Sequence, residues 1–199
     1  MGEPVTNVLM VGVGGQGIVL SSDVLAEAAA IAGHDVKKSE IHGMSRRGGP
    51  VFSHVRFGTR VHSAVIPEGA AGVVLAMEPM ELLRWAPWAA PGASACYLSA
   101  PILPVGVEEY PDDLEAEIDR LFDRVVRVEL AAIRRSVPMK VRNTALLGAA
   151  SVFVPLAPEH FAQALRALSP RGTYEANQAA FDAGRALGGQ QLKEVADVE

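Results

Sequence analysis

Cysteine occurs once in this chain, at Cys96. That excludes a disulfide framework, a CxxC zinc site or an iron–sulfur cluster built from this chain alone. A lone thiol within the apolar run ASACYL reads as a small buried hydrophobe in a reducing cytoplasm. Aromatic residues are also scarce, at 6%, so the core must be packed largely from Ala, Val and Leu. The first residues, MGEPVTN, lack the cationic and apolar regions of a secretory signal. The longest apolar stretch, residues 145–158, is broken by Pro155 and too short for a bilayer of ~30 Å. A soluble cytoplasmic protein with no membrane contact is expected. Positive charge is in deficit, with a net charge of −5 and a pI near 5.6; this gives no broad electrostatic grip on nucleic acid. No HExxH, GxSxG or GK[ST] motif occurs, so metalloprotease, α/β-hydrolase and P-loop chemistry have no support.

What is present is a chain of 199 residues, 49% hydrophobic. That length suits one domain, with no interdomain linker or repeat. Residues 8–13 form a continuous apolar run ended by glycines, the pattern of a buried parallel strand. Residues 21–32 read as a helix stopped by Gly33, and 34–41 as a second strand, a β–loop–α–β unit whose crossover implies parallel strands. Residues 51–57 and 60–66, joined by Gly58-Thr59, predict a hairpin and hence an antiparallel element. Further strands are expected at 71–77, 93–98 and 124–129. Helices are expected at 79–85, 112–123, 143–153, 158–168 and 174–187, with 188–199 as a flexible polar tail. The expected fold is α/β, a single three-layer Rossmann-like domain over residues 1–199 with a mixed, mainly parallel sheet.

Two glycine-bearing loops carry the candidate chemistry. In the first, Gly12, Gly14 and Gly17 satisfy GxGxxG directly after a strand and opening a helix, with Gly15 and Gln16 between them. Such glycines permit a tight turn and close approach of backbone N–H groups to a phosphate, while the helix dipole attracts the anion. Packing alone is the competing explanation. Glu40, 23 residues beyond Gly17, stands where a dinucleotide fold places an acid for a ribose. In the second loop, Arg46 and Arg47 precede Gly48 and Gly49, so a guanidinium pair can clamp an anion over open backbone; a solvated charge pair is the plainer alternative. Ser53 follows shortly after. His42 and His54 are the candidate acid–base groups, against a hydrogen-bonded structural role for each.

The runs NVLMVGVGGQGIVLSS, VKKSEIHGMSRRGGPVFSHVRFG and HSAVIPEGAAGVVLAMEPMELLR, with NTALLGAA further on, resemble the γ subunit or domain of thiamine-diphosphate-dependent 2-oxoacid:ferredoxin oxidoreductases. Within that family the similarity is greatest to the β subunit of indolepyruvate oxidoreductase. It spans most of residues 7–155, and HGM-x-RRGG-x-x-x-SHVR is its most specific element. The resemblance implies a multi-subunit enzyme that decarboxylates a 2-oxo acid on thiamine diphosphate. Two electrons then pass through [4Fe-4S] clusters to ferredoxin, and the acyl group goes to coenzyme A. Thiamine diphosphate and the clusters would belong to larger partner subunits, and this chain would be inactive alone. By position, the 12–17 loop and Arg46, Arg47, Gly48, Gly49 and Ser53 would lie towards the coenzyme A site. An exposed apolar patch on helix 145–153 would meet the partner. The alternative is a stand-alone Rossmann-like protein binding NAD(P) or a flavin.

Overall fold

A computed structural model describes residues 4–42, 50–100, 111–133 and 137–196. Six strands form one sheet: β1 (Thr6–Val13), β2 (Asp35–His42), β3 (Pro50–Gly58), β4 (Ala71–Ala76), β5 (Ala89–Ser99) and β6 (Arg124–Glu129), in the spatial order β2-β3-β1-β4-β5-β6. Strands β1, β4, β5 and β6 run parallel, and β3 is antiparallel to both of its neighbours. The sheet is therefore mixed and mainly parallel, as expected, although its antiparallel element is β3 between β1 and β2 and not the hairpin from which mixing was inferred. Its helices are α1 (Ile18–Ile31), α2 (Pro79–Arg84), α3 (Leu114–Leu121), α4 (Leu130–Ile133), α5 (Arg142–Ala150), α6 (Pro158–Leu168) and α7 (Tyr174–Ala196). One face of the sheet packs with α1, α5, α6 and α7 around Val8, Met10, Leu25, Leu147, Phe161 and Phe181; the other packs with α2 and α3 around Leu9, Val11, Leu82 and Ile118. Among the described residues no helix is long and apolar enough to cross a membrane.

The expected hairpin of 51–57 with 60–66 does not form. Strand β3 inserts between β1 and β2, from Thr6↔Phe57 to Val13↔Pro50 on one side and from Asp35↔Gly58 to His42↔Val51 on the other. Both of its hydrogen-bonding edges are then occupied, so residues 59–66 cannot pair with it as a strand. Side chains satisfy that segment instead. The Val61 N–H donates to Asp35 Oδ2 at 2.7 Å, the Ile66 N–H to His54 Nδ1 at 3.2 Å, and Arg56 Nη1 donates to the carbonyls of Ser63 and Val65 at 2.9 and 3.0 Å.

Residues 188–196, expected as a tail, continue α7 to Ala196. Gly188, where the tail was expected to begin, belongs with Gly184 and Gly148 to a packing notch. A Cβ on Gly184 would lie 1.8 Å from the Ala145 carbonyl oxygen, one on Gly148 2.1 Å from that of Phe181, and one on Gly188 2.6 Å from that of Ala149. Backbone thus touches backbone along the α5–α7 contact. Beyond the notch, Gln191 Oε1 accepts from the Arg127 N–H at 2.9 Å and its Nε2 donates to the Arg127 carbonyl at 2.8 Å. This two-way bond covers the β6 edge, a position that would otherwise offer unpaired backbone groups.

The same notch removes residues 145–150 from the partner-facing patch expected on helix 145–153, leaving only Val152 and Phe153 half-buried beyond them. Every residue from Asn143 to Ala150 is buried, beneath α7 and against the sheet. Cys96 is wholly buried on that face of the sheet, its thiol donating to the Leu146 carbonyl at 3.7 Å, and burial pushes its pKa upward.

Candidate functional site

The 12–17 loop lies at the C-terminal edge of the parallel strands, where open α/β sheets place their ligands. Its shape comes from close contacts that only glycine admits. A Cβ on Gly12 would lie 2.6 Å from Gln16 Oε1 and 3.1 Å from the Met77 side chain, while Gly15 and Gly17 adopt φ values of +90° and +84°. The Gln16 side chain folds back under the turn, its Oε1 accepting from the Val13 N–H at 2.7 Å.

Gly17 is the N-cap of α1, which begins three residues earlier than its sequence pattern suggested. No side chain caps this terminus, and no acidic residue occupies its first turn. The first N–H groups of an α-helix have no acceptor within the helix, so this end carries uncompensated positive charge. From the opposite side Asn143 buttresses the turn: its Nδ2 donates to the Gly17 carbonyl at 3.2 Å and to Ser21 Oγ at 3.3 Å.

Two open clefts flank the loop. One, of about 410 Å³, lies between Gly15, Gln16 and Gly17 and the segment carrying Met139, Lys140, Arg142 and Asn143. The other, of about 340 Å³, is lined by Val13, Gly14, Gly15, Gly17, Ile18, Val19 and Val51. Gly14 and Gly15 are exposed between them. Lys140 and Arg142 were not among the residues singled out from sequence. Their signal was weak: two cations set one residue apart just before Asn143, with no glycine or histidine to draw attention to them.

The other candidates separate from this cluster. Arg46, Arg47, Gly48 and Gly49 lie outside the described residues, as does the His42 side chain, although the His42 backbone pairs with Val51 at the end of β2. Ser53 is completely buried in β3, opposite Met10 and Glu40, and its Oγ has no hydrogen-bond partner. His54 is 2% exposed, opposite Leu9 in the middle of the sheet, and lines neither cleft. Its Nδ1 holds the 59–66 segment through Ile66, and its ring meets Phe52 edge-on at 5.6 Å.

Burial, reinforced by the Arg56 guanidinium, holds the His54 pKa below its ordinary value of 6.5. The unfolded chain therefore takes up a proton near pH 6.5 that the native protein refuses. Stability from neutral His54 is fully present above that pH and declines as pH falls below it towards the folded-state value. Urea unfolding at pH 7.5 and at 5.5 should show this loss in the wild-type protein. In His54→Gln, which retains an acceptor but does not titrate, that part of the pH dependence should disappear.

The sheet order also bears on the dinucleotide alternative. Glu40 sits on β2, two strands from β1, because β3 intervenes. At about 4.8 Å per strand it lies roughly 10 Å to the side of the 12–17 loop, not on the adjacent strand where a ribose acid belongs. Its carboxylate pairs with Lys38, which also reaches Asp23 on α1.

Residues 7–187 match the sequence profile of the family described as pyruvate ferredoxin/flavodoxin oxidoreductase. The chain is 37% identical over 191 residues to indolepyruvate oxidoreductase subunit IorB of Pyrococcus horikoshii, covering 89% of this chain and 93% of the relative. It is 35% identical over 189 residues to the subunit of the same name from Thermococcus kodakarensis, with the same coverages. Among solved structures, the γ subunit of a keto/oxoacid ferredoxin oxidoreductase from Geobacter sulfurreducens shares the fold with a TM-score of 0.71 at 20% identity, over 94% of this chain and 98% of that one. A 2-oxoglutarate:ferredoxin oxidoreductase from Magnetococcus marinus, described with 2-oxoglutarate, coenzyme A and succinyl-CoA bound, has the same TM-score and identity, over 94% of this chain and 32% of that one.

Proposed function

Because this chain belongs to the pyruvate ferredoxin/flavodoxin oxidoreductase family, we propose that it is a non-cluster subunit of a 2-oxoacid:ferredoxin oxidoreductase acting on an aryl 2-oxo acid such as indolepyruvate. In this reading its 12–17 loop forms one wall of the coenzyme A site. The observation that carries the proposal is the uncapped N-terminus of the 14-residue helix α1, opening between two clefts at the C-terminal edge of the parallel strands. Coenzyme A presents a pyrophosphate and a 3′-phosphate, and both suit backbone N–H groups at a helix end. The names of the relatives point to indolepyruvate as the 2-oxo acid.

The proposed enzyme would also need thiamine diphosphate and [4Fe-4S] clusters, and the described part of this chain does not fit the clusters. Its sole cysteine is locked in the core, and among the described residues no three His, Cys, Asp or Glu side chains gather as a ligand set. We assign both cofactors to the larger partner subunits, where decarboxylation and electron transfer to ferredoxin would take place. This chain would shape the acyl-acceptor side of the joint active site and have no turnover alone.

The second glycine loop supplies the test. In the assembled complex, Arg46→Ala or Arg47→Ala should raise the KM for coenzyme A, by about tenfold for a lost charge-assisted contact, with a smaller effect on the KM for the 2-oxo acid. Steady-state kinetics with each substrate varied in turn measures both. Unchanged coenzyme A saturation in both variants would remove that loop from the site.

A further inference from the structure

We infer that the cleft between the 12–17 loop and the segment 139–143 is a seat for a phosphate ester or diphosphate group, with Lys140 and Arg142 as its cations and the Gln16 amide as a neutral donor. This deepens the coenzyme A reading by assigning residues to the phosphate. It rests on that reading only for the identity of the molecule carrying the phosphate.

Three observations converge on this cleft. The first is Gln16, a polar side chain only 7% exposed that lines the cleft. The Val13 N–H is a donor and bonds one end of the amide at 2.7 Å, so that end must be the carbonyl oxygen. The opposite end, Nε2, carries two hydrogens and has no acceptor among the described residues. Nε2 is not sealed in the interior, so its two hydrogens are available to an acceptor that enters the cleft.

The second is the helix end itself. Gly17 leaves α1 without a side-chain cap, and Gly15 offers bare backbone with open space where a side chain would be. Asn143 spends its own Nδ2 hydrogens on Gly17 and Ser21, and so acts as a positioning residue that holds this N-terminus against the cleft.

The third is charge. Lys140 and Arg142 line the same cleft, no carboxylate does, and among the described residues neither cation forms an ion pair. In a chain of net charge −5, two cations kept away from acids beside an uncapped helix terminus make a locally positive pocket. A flexible lysine and a forked guanidinium, set against fixed backbone donors, match the several oxygens of a phosphate or diphosphate.

The test uses the full-length isolated chain, ¹⁵N-labelled and titrated with inorganic pyrophosphate at low ionic strength. Saturable shifts are expected at the amides of Gly15, Gly17, Ile18 and Asn143 and at the Gln16 side-chain amide. The double variant Lys140→Gln/Arg142→Gln should weaken the Kd by about tenfold or more. Both side chains lie at the surface or partly exposed, so the thermal midpoint should stay near the wild-type value. Arg142→Lys in an otherwise wild-type background should restore part of the loss seen with Arg142→Gln. Absence of saturable shifts, or an equal Kd in wild type and double variant, would overturn the seat. Coenzyme A in place of pyrophosphate separates this inference from the reading beneath it. If coenzyme A shifts the loop equally in wild type and double variant, the reading stands and the assigned cations are wrong. If pyrophosphate binding depends on Lys140 and Arg142 while coenzyme A leaves the loop unshifted, the seat stands and the coenzyme A reading fails.

Discussion

Gly184→Ala should be the most damaging single methyl that can be added to this protein's α5–α7 contact. The new Cβ would lie 1.8 Å from the Ala145 carbonyl oxygen, and the obstacle is helix backbone, which cannot rotate aside. The two helices must separate, loosening Phe181 from Phe161 (ring centroids 4.8 Å apart) and straining the buried Thr144–Asn177 hydrogen bond of 2.6 Å. Overpacking a tight core costs up to about 3 kcal/mol, and more when backbone must move. At roughly 2–4 °C per kcal/mol for a chain of this size, the midpoint should fall by about 6–12 °C. Gly189→Ala is the control. Nothing lies within 4 Å of its added Cβ, so it should be neutral or stabilising by up to about 1 kcal/mol through helix propensity. Thermal unfolding of the two variants side by side decides the matter, and similar losses in both would refute the notch.

The second large effect is expected at Gly17. An alanine there must hold φ near +84° and place its Cβ 2.7 Å from the Asn143 amide. The left-handed backbone alone costs about 1–2 kcal/mol for a residue with a Cβ, and the collision adds to it, for a total of about 2–3 kcal/mol. Gly15→Ala has a similar φ of +90° with no neighbour within 4 Å, so it should lose only the backbone part, about 1–2 kcal/mol. Adding Asn143→Ala removes the obstacle, and a double-mutant cycle with Gly17→Ala should show a favourable coupling. Denaturant unfolding of the four proteins measures it; additive losses would mean that Asn143 does not set the turn. If the loop is a wall of the coenzyme A site, Gly17→Ala should also weaken coenzyme A saturation in the complex more than Gly15→Ala does.

Much of the architecture was legible because its signals are local. Buried parallel strands announce themselves as short apolar runs, which is why residues 8–13, 71–77 and 124–129 were placed within a residue or two of β1, β4 and β6. Helix α6 was readable end to end from its proline start and amphipathic spacing. The β-rich character of 60–66 misled, because strand propensity describes a pleated, half-buried surface and does not name a partner. The partner edge had already been taken by β2. Gly188 and Gly189 misled for a related reason: a glycine that ends a helix and one that lets a second helix approach look the same until that helix is in place.

The histidine and arginine of the SHVR run show the same limit at the site. His54 read as a candidate for chemistry, yet it and Arg56 are clamps whose acceptor and donors hold the backbone of 59–66. A specific motif can reflect a demanding backbone as readily as a reaction.

By itself the sequence determined the α/β class, the glycine-bearing turn at Gly12–Gly17 and the absence of any cluster-building thiols, because these depend on residue type and nearest neighbours along the chain. Tertiary structure alone decided what surrounds that turn. Insertion of β3 carried Glu40 two strands away, burial in the sheet turned His54 into a clamp, and packing of α5 brought Lys140, Arg142 and Asn143 to Gln16 across more than a hundred residues of sequence. Those juxtapositions follow from how the sheet and helices close around one core, which no local window of the chain contains.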